Sequence, residues 1–219
     1  MTKNRYTNVL PPDQSRVVLE NGSYINANLV SIGDGYAPMI ACQAPLSSTI
    51  EDFLLMILQY KSPAILMVTP LIEGEVIKST KYWPNEGKTI YHGSFKVSNM
   101  RSNKISPNLT VSYLRISLGE EFLLVHHIHY TGMPDGRGSD LDELLLVICL
   151  LLSVLTDLRP FVCHCSAGIG RTGVIATILR CLRTGEPPIT AIRNIRYQRH
   201  GMVQTKTQFR LIRNFIGML

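Results

Sequence analysis

The sequence predicts an α/β (α+β) fold: one domain over residues 1–219, built on a mixed β-sheet with α-helices packed against it. Three observations carry this. The chain has 219 residues, 45 % hydrophobic and 17 % charged, which supplies one ordinary core and is too apolar for a disordered chain. Strand signals crowd the middle of the sequence while helix signals stand early and late, which favours a mixed sheet over a strict βαβ repeat. No internal repeat, low-complexity tract or long linker divides the chain.

In chain order, alternation or short apolar runs predict strands at 16–19, 39–42, 64–68, 94–97, 110–116, 122–130 and 160–163. Ser48-Thr49-Ile50-Glu51 reads as a capping box that opens a helix to about residue 59. Asp140 with Glu143 opens an apolar helix to about residue 155. A third helix follows the last strand, from about 171 through 182. Thr205-Lys206-Thr207-Gln208 opens the final one, whose Phe209, Ile212 and Phe215 share a face.

Composition narrows the function classes. The longest apolar run, 144–155 with one serine, is too short to span a bilayer and is bracketed by Glu143 and Asp157, so it reads as a buried helix and no membrane span is expected. Five irregularly spaced cysteines and no signal-like start after Met1-Thr2-Lys3-Asn4-Arg5 point to a reducing compartment, the cytoplasm or the cytoplasmic part of a larger protein, in place of a disulfide framework. A net charge of +6 and a pI near 9.1 suit acidic partners. The basic residues are scattered with no Lys/Arg run interleaved with aromatics, so a solvated surface plus one positive pocket accounts for the charge and nucleic acid is not expected.

The chemistry concentrates in Val-Cys-His-Cys-Ser-Ala-Gly-Ile-Gly-Arg-Thr-Gly, residues 162–173. Ser166, Ala167, Gly168, Ile169 and Gly170 must turn the chain between a strand and a helix that starts near Arg171. Small residues there let successive N–H groups point inward, and the helix N-terminus adds its partial positive charge. Such a cradle takes a tetrahedral anion, and Arg171, six positions after Cys165, can grip two of its oxygens. The same field lowers the pKa of the Cys165 thiol, to which Thr172 can donate its hydroxyl. The plain alternative is a glycine-rich strand-to-helix turn with a buried cysteine. A metal at Cys163-His164-Cys165 is not expected, because alternation separates the ligands and no second Cys/His pair stands at ligand spacing. His126, His127 and His129 read as ordinary sheet histidines facing alternate sides.

Residues 164–173 resemble the active-site loop of the phosphotyrosine-specific protein tyrosine phosphatases, and the resemblance runs through nearly the whole chain in the family's order. Asn4-Arg5-Tyr6-Thr7-Asn8-Val9 is similar to the phosphotyrosine-recognition loop, and Tyr24-Ile25-Asn26-Ala27-Asn28 to the motif after it. Gln43-Ala44-Pro45-Leu46 stands for the usual Gln-Gly-Pro-Leu, and Lys78 with Tyr82-Trp83-Pro84 follows. His129-Tyr130-Thr131-Gly132-Met133-Pro134-Asp135 is similar to the mobile acid loop, and Gln204-Thr205 with Gln208 to the glutamine loop.

The resemblance implies a central twisted mixed sheet flanked by helices, with a phosphate-binding loop between a strand and a helix. It implies a phosphocysteine mechanism without metal or cofactor, acting on phosphotyrosine proteins, in a monomer. Cys165 is then the nucleophile and Arg171 the phosphate clamp; Asp135 is acid and then base, Gln204 orients the water, and Thr172 supports the sulfur. Tyr6, Asn8, Lys78, Gln208 and the loop 166–170 bind substrate, Tyr6 setting a pocket depth that suits phosphotyrosine, and a thiolate at Cys165 is open to reversible oxidation. Met133 replaces the tryptophan on which the family hinges its acid loop, and buries less area. Two further readings stand beside this one. A catalytically impaired phosphotyrosine-binding domain is opposed by the presence of Cys165, Arg171, Asp135, Gln204 and Lys78. A dual-specificity phosphatase is opposed by Tyr6 and the complete recognition loop.

Overall fold

The first sheet strands of the computed structural model, β1 (Ala27–Val30) and β2 (Met39–Cys42), pair antiparallel. Residues 3–133 and 140–219 are described. Helix α1 (Ile50–Gln59) leads into β3 (Ala64–Met67), and a small hairpin of β4 (Ile72–Glu73) and β5 (Val76–Ile77) stands apart. A meander follows: β6 (Thr89–His92), β7 (Phe95–Ser106), β8 (Leu109–Leu118) and β9 (Glu121–Tyr130). Then come α2 (Leu141–Val154), β10 (Phe161–His164), α3 (Arg171–Thr184), α4 (Pro188–Gln198) and α5 (Lys206–Met218).

The eight-stranded sheet has the order β1-β2-β10-β3-β9-β8-β7-β6. Its centre is parallel: β10 runs parallel to both β2 and β3, and β3 to β9. The sheet is therefore mixed, and the last strand in sequence sits in the middle of it. All four residues of β10, β2 and β3 are buried, as strands covered on both faces must be. Alternation divides the core. Phe161 and Cys163 face a cluster with α2, α3, α4 and α5, whereas Val162 faces one with α1, Tyr82 and Trp83. The loop after β10 thus leaves from the carboxyl end of a central parallel strand, the usual ligand position in such sheets.

Several elements differ from the sequence reading for physical reasons. Residues 16–19 alternate as a strand should, with Val17 and Leu19 buried and Val18 61 % exposed, but pair only through one bridge from Arg16 to Asn28. The Ser48–Glu51 capping box does not form: a 3-10 turn at Ser47–Thr49 leads in, and the Thr49 hydroxyl accepts from the Leu46 N–H. β7 runs well past 97 because it stays paired with β8 to Ser106, although its second half is mostly exposed polar residues without alternation. α4 escapes the pattern because it opens on Pro187-Pro188 and buries only Ala191, Ile192 and Ile195. The caps of α2 and α5 form as read, Asp140 accepting from the N–H groups of Asp142 and Glu143, and Thr205 and Gln208 making a capping box. Among the described residues, no helix is long and apolar enough to cross a membrane.

Candidate active site

The turn from β10 into α3 wraps a groove of about 310 Å³ with Cys165 in its lining. The carbonyls of Ser166, Ala167, Gly168 and Ile169 are each claimed from outside the turn. Ser166 O accepts from Ala44 N at 2.9 Å, and Ile169 O from Val203 N at 2.9 Å. Arg199 takes the two between, its Nε donating to Gly168 O at 2.7 Å and its Nη2 to Ala167 O at 3.0 Å. Because a trans peptide points its N–H opposite to its C=O, outward carbonyls turn the N–H groups inward. No hydrogen bond among the described residues ends on the N–H of Ser166, Ala167, Ile169 or Gly170. Those donors, with the start of α3, form an anion cradle.

Glycine is needed where the turn is tightest. Gly168 has φ +72°, and an added Cβ would collide with the Cys42 carbonyl. Arg199 itself is 1 % exposed, and Asn28 Oδ1 at 2.6 Å and Asn26 Oδ1 at 2.9 Å hold its other donors. Burial lowers its pKa to about 10, with Cys42 and Cys165 pulling the other way, so it stays charged at neutral pH. Sequence alone gives Arg199, Asn26 and Asn28 no role; their one local signal is that the two asparagines fall within Tyr24-Ile25-Asn26-Ala27-Asn28.

Cys165 is distinct among the cysteines. Burial pushes its thiol up, but the Thr172 hydroxyl and N–H, the Arg171 guanidinium and the Gly168 N–H, 3.3 Å from Sγ, outweigh it and leave the pKa below the ordinary value. Burial drives three other cysteines the opposite way: Cys42 to about 12, Cys181 to about 11, and Cys163 well above normal. The Thr172 hydroxyl is buried between Cys163 and Cys165 and makes no hydrogen bond of ordinary geometry among the described residues, so it acts on the sulfur as a nearby dipole.

Arg171 is 3 % exposed and held from two sides, Nη1 donating to Thr69 Oγ1 at 2.8 Å and Nη2 meeting Glu73 Oε2 at 2.6 Å. Glu73 also pairs with Lys78 Nζ at 3.5 Å. This carboxylate was not foreseen; its signal is a Glu-Gly-Glu hairpin tip five residues before Lys78. On the opposite wall the Tyr6 hydroxyl lies 2.9 Å from Ser166 Oγ. The segment is stapled in place: Arg5 donates its N–H to Gln43 Oε1 and its guanidinium to the carbonyls of Ala44 and Pro45, and Asn26 Nδ2 donates to Val9 O.

Of the residues assigned from sequence, Tyr6, Asn8, Lys78, Cys165, Ser166, Ala167, Gly170, Arg171 and Gln204 line the groove together, with Val9 added. Gly168, Ile169 and Thr172 shape it from behind. Gln208 is not in the lining: it is 5 % exposed, and its Oε1 accepts from the N–H groups of Gln204 and Thr205, a cap that holds Gln204 at the rim. The preceding residue, Val203, has φ +60°, a costly conformation for a β-branched side chain. Asp135 lies outside the described residues; Met133 is 2 % exposed in the core beside α2 and α3.

This arrangement sets a thiol with a lowered pKa and a guanidinium around inward N–H groups at the end of a parallel strand, the chemistry of a thiol-based anion site. The chain belongs to the protein-tyrosine phosphatase family, whose model matches residues 1–217. It is 37 % identical over 219 residues to human tyrosine-protein phosphatase non-receptor type 13, covering 94 % of this chain and 9 % of that protein. It is 36 % identical over 233 residues to human non-receptor type 7, covering 99 % and 64 %. The chain thus spans less than two thirds of either relative. The crystal structure of the catalytic domain of human non-receptor type 18 superposes with a TM-score of 0.91 at 30 % identity, covering 99 % of this chain and 83 % of that one. The same phosphatase in complex with HER2 phosphopeptides superposes at 0.90.

Proposed function

We propose that this chain hydrolyses phosphotyrosine in proteins through a phosphocysteine intermediate. The observation that carries the reading is the Cys165 sulfur set within a ring of inward N–H groups, with the Gly168 N–H 3.3 Å from Sγ and Arg171 in the same groove; this setting lowers its pKa, whereas burial raises the neighbouring thiols. The thiolate attacks phosphorus, the S–P bond forms and the P–O bond to the tyrosine breaks. The Arg171 fork and the loop N–H groups take the charge that spreads over the equatorial oxygens. Asp135, by the family likeness, gives its proton to the departing phenolate. A water oriented by Gln204 then loses a proton to Asp135, attacks phosphorus and returns Cys165 as thiolate with release of phosphate.

Tyr6, anchored to Ser166, gives the groove an aromatic wall that suits a phenyl ring and leaves phosphoserine short of the cradle. The HER2 phosphopeptides bound by a structural neighbour support phosphotyrosine proteins as the substrate class. Five free cysteines, one of them working as an oxidisable thiolate, suit the reducing cytoplasm, and the groove is built from one copy of the chain. The test is turnover of matched phosphotyrosine and phosphoserine peptides, with Cys165→Ser as control. The reading expects hydrolysis of the first, little of the second, and none by the variant. Turnover by Cys165→Ser near the parent rate overturns it.

A further inference from the structure

Three buried side chains form a hydrogen-bonded line that starts beneath the loop and runs away from the groove. His164 Nδ1 lies 3.1 Å from Cys165 O, and its Nε2 lies 2.9 Å from Tyr82 Oη. That hydroxyl lies 2.9 Å from His127 Nε2. All three side chains are wholly buried.

Counting hydrogens fixes the direction of the line. A carbonyl only accepts, so His164 Nδ1 carries the hydrogen. Burial pushes the His164 pKa to about 4, so the ring is neutral and its Nε2 is bare. That atom takes the Tyr82 hydroxyl hydrogen. A phenol has only one, so the Tyr82 oxygen must accept from His127, which is the Nε2–H tautomer. Burial, with His129 and His164 adding to it, keeps His127 neutral too. Its Nδ1 is therefore a bare lone pair, buried and without a partner among the described residues. A buried acceptor left unpaired is costly and calls for a reason. The opposite tautomer would leave an unpaired donor instead and set two lone pairs against each other at Tyr82.

We propose that His127 is a positioning residue for the Cys165 loop, acting through Tyr82 and His164. The hydrogen it donates turns the Tyr82 hydroxyl toward His164 and away from Met67 Sδ, its other neighbour at 4.0 Å. His164 in turn holds the Cys165 carbonyl outward, which aims the N–H of Ser166 into the groove beside the thiolate. The inference rests on Cys165 being the nucleophile. Arg171, Arg199, Cys42 and Cys163 also face the Cys165 sulfur, Tyr6 and Lys78 share its groove, and His129 and Arg5 face the two imidazoles. None of these is altered in the test.

His127→Gln places an amide N–H near the position of the imidazole Nε2, while His127→Asn carries the same amide one methylene short. The readout is the pH dependence of Cys165 alkylation by iodoacetate, followed by peptide mass so that exposed Cys149 does not contribute. The asparagine variant should raise the Cys165 pKa and slow alkylation near pH 6 by about three- to tenfold, the worth of one hydrogen bond. The glutamine variant should restore it, and His127→Asn added to Tyr82→Phe should change nothing further. Equal losses in both variants, no loss in the asparagine variant, or a full further loss on top of Tyr82→Phe would overturn the relay. Alkylation requires no turnover. A chain that alkylates as expected yet hydrolyses no aryl phosphate supports the relay and sinks the catalytic reading alone.

Discussion

Arg171 Nη2 lies 2.6 Å from Glu73 Oε2, a carboxylate carried by a hairpin 98 residues earlier in the chain. The contact sets the plane of the guanidinium before any anion arrives, and the Thr69 hydroxyl fixes its other edge. Preorganised charge of this kind stabilises a transition state at no cost of reorganisation.

Glu73→Gln should therefore lower kcat/KM on an aryl phosphate by about tenfold, the low end for a hydrogen bond to a charged group. Removing a negative charge beside the bound anion works the other way. That gain is smaller, because the Glu73 side chain is 26 % exposed and screened by water. An unchanged kcat/KM would show that Arg171 orients itself without Glu73.

Arg199 makes a different demand, on stability. Its replacement by methionine orphans Gly168 O, Ala167 O, Asn26 Oδ1 and Asn28 Oδ1 at once. At ~1 kcal/mol or more for each of these four unsatisfied buried groups, the loss should reach ~4 kcal/mol and lower Tm by about 8–16 °C. Calorimetry checks this, and a fall of less than about 2 °C contradicts the strap.

These two residues mark where sequence reasoning ran out. Cys165, Arg171 and the glycines between them are local, so their spacing alone announced a strand, a turn and a helix start. Caps were legible where a side chain meets its own helix, as at Asp140 and Thr205. Glu73 and Arg199 reach the loop from distant elements: the Glu-Gly-Glu tip marks a hairpin but not its contact with Arg171, and no local pattern distinguishes Arg199 from a surface charge. The same holds for His127: its alternation in β9 was readable, but its bond to Tyr82 depends on the parallel pairing of β3 with β9. Strand length failed for a related reason, since the second half of β7 is held by its neighbour and not by apolar side chains.

The thiol carries a pH signature. Its pKa is lower in the folded chain than the ~8.5 of a free thiol. The thiolate's contribution to stability is thus complete above ~8.5 and fades as pH falls through the folded value. The stability difference between the parent and Cys165→Ser, read from urea midpoints, should shift in favour of the parent between pH 5 and pH 9. A difference that is flat, or that runs the other way, contradicts a lowered thiol.

Asp135 is tested by the leaving group. On the proposed mechanism, Asp135→Asn should slow turnover of a phosphotyrosine peptide by ~10², the low end for a general acid, since Met133 stands where the family resemblance implies a tryptophan hinge and methionine buries less area. An activated aryl phosphate, whose phenolate leaves without a proton, should lose much less. Equal losses on both substrates would remove proton donation from the role of Asp135.

The covalent step is tested most directly by rapid quenching of a phosphotyrosine peptide reaction in acid, followed by peptide mapping. A phosphocysteine mechanism requires one phosphoryl group on Cys165, formed with the burst of dephosphorylated peptide and absent from Cys165→Ser. Steady turnover with no phosphoryl group on Cys165 at any time, or with the group on another residue, would contradict it.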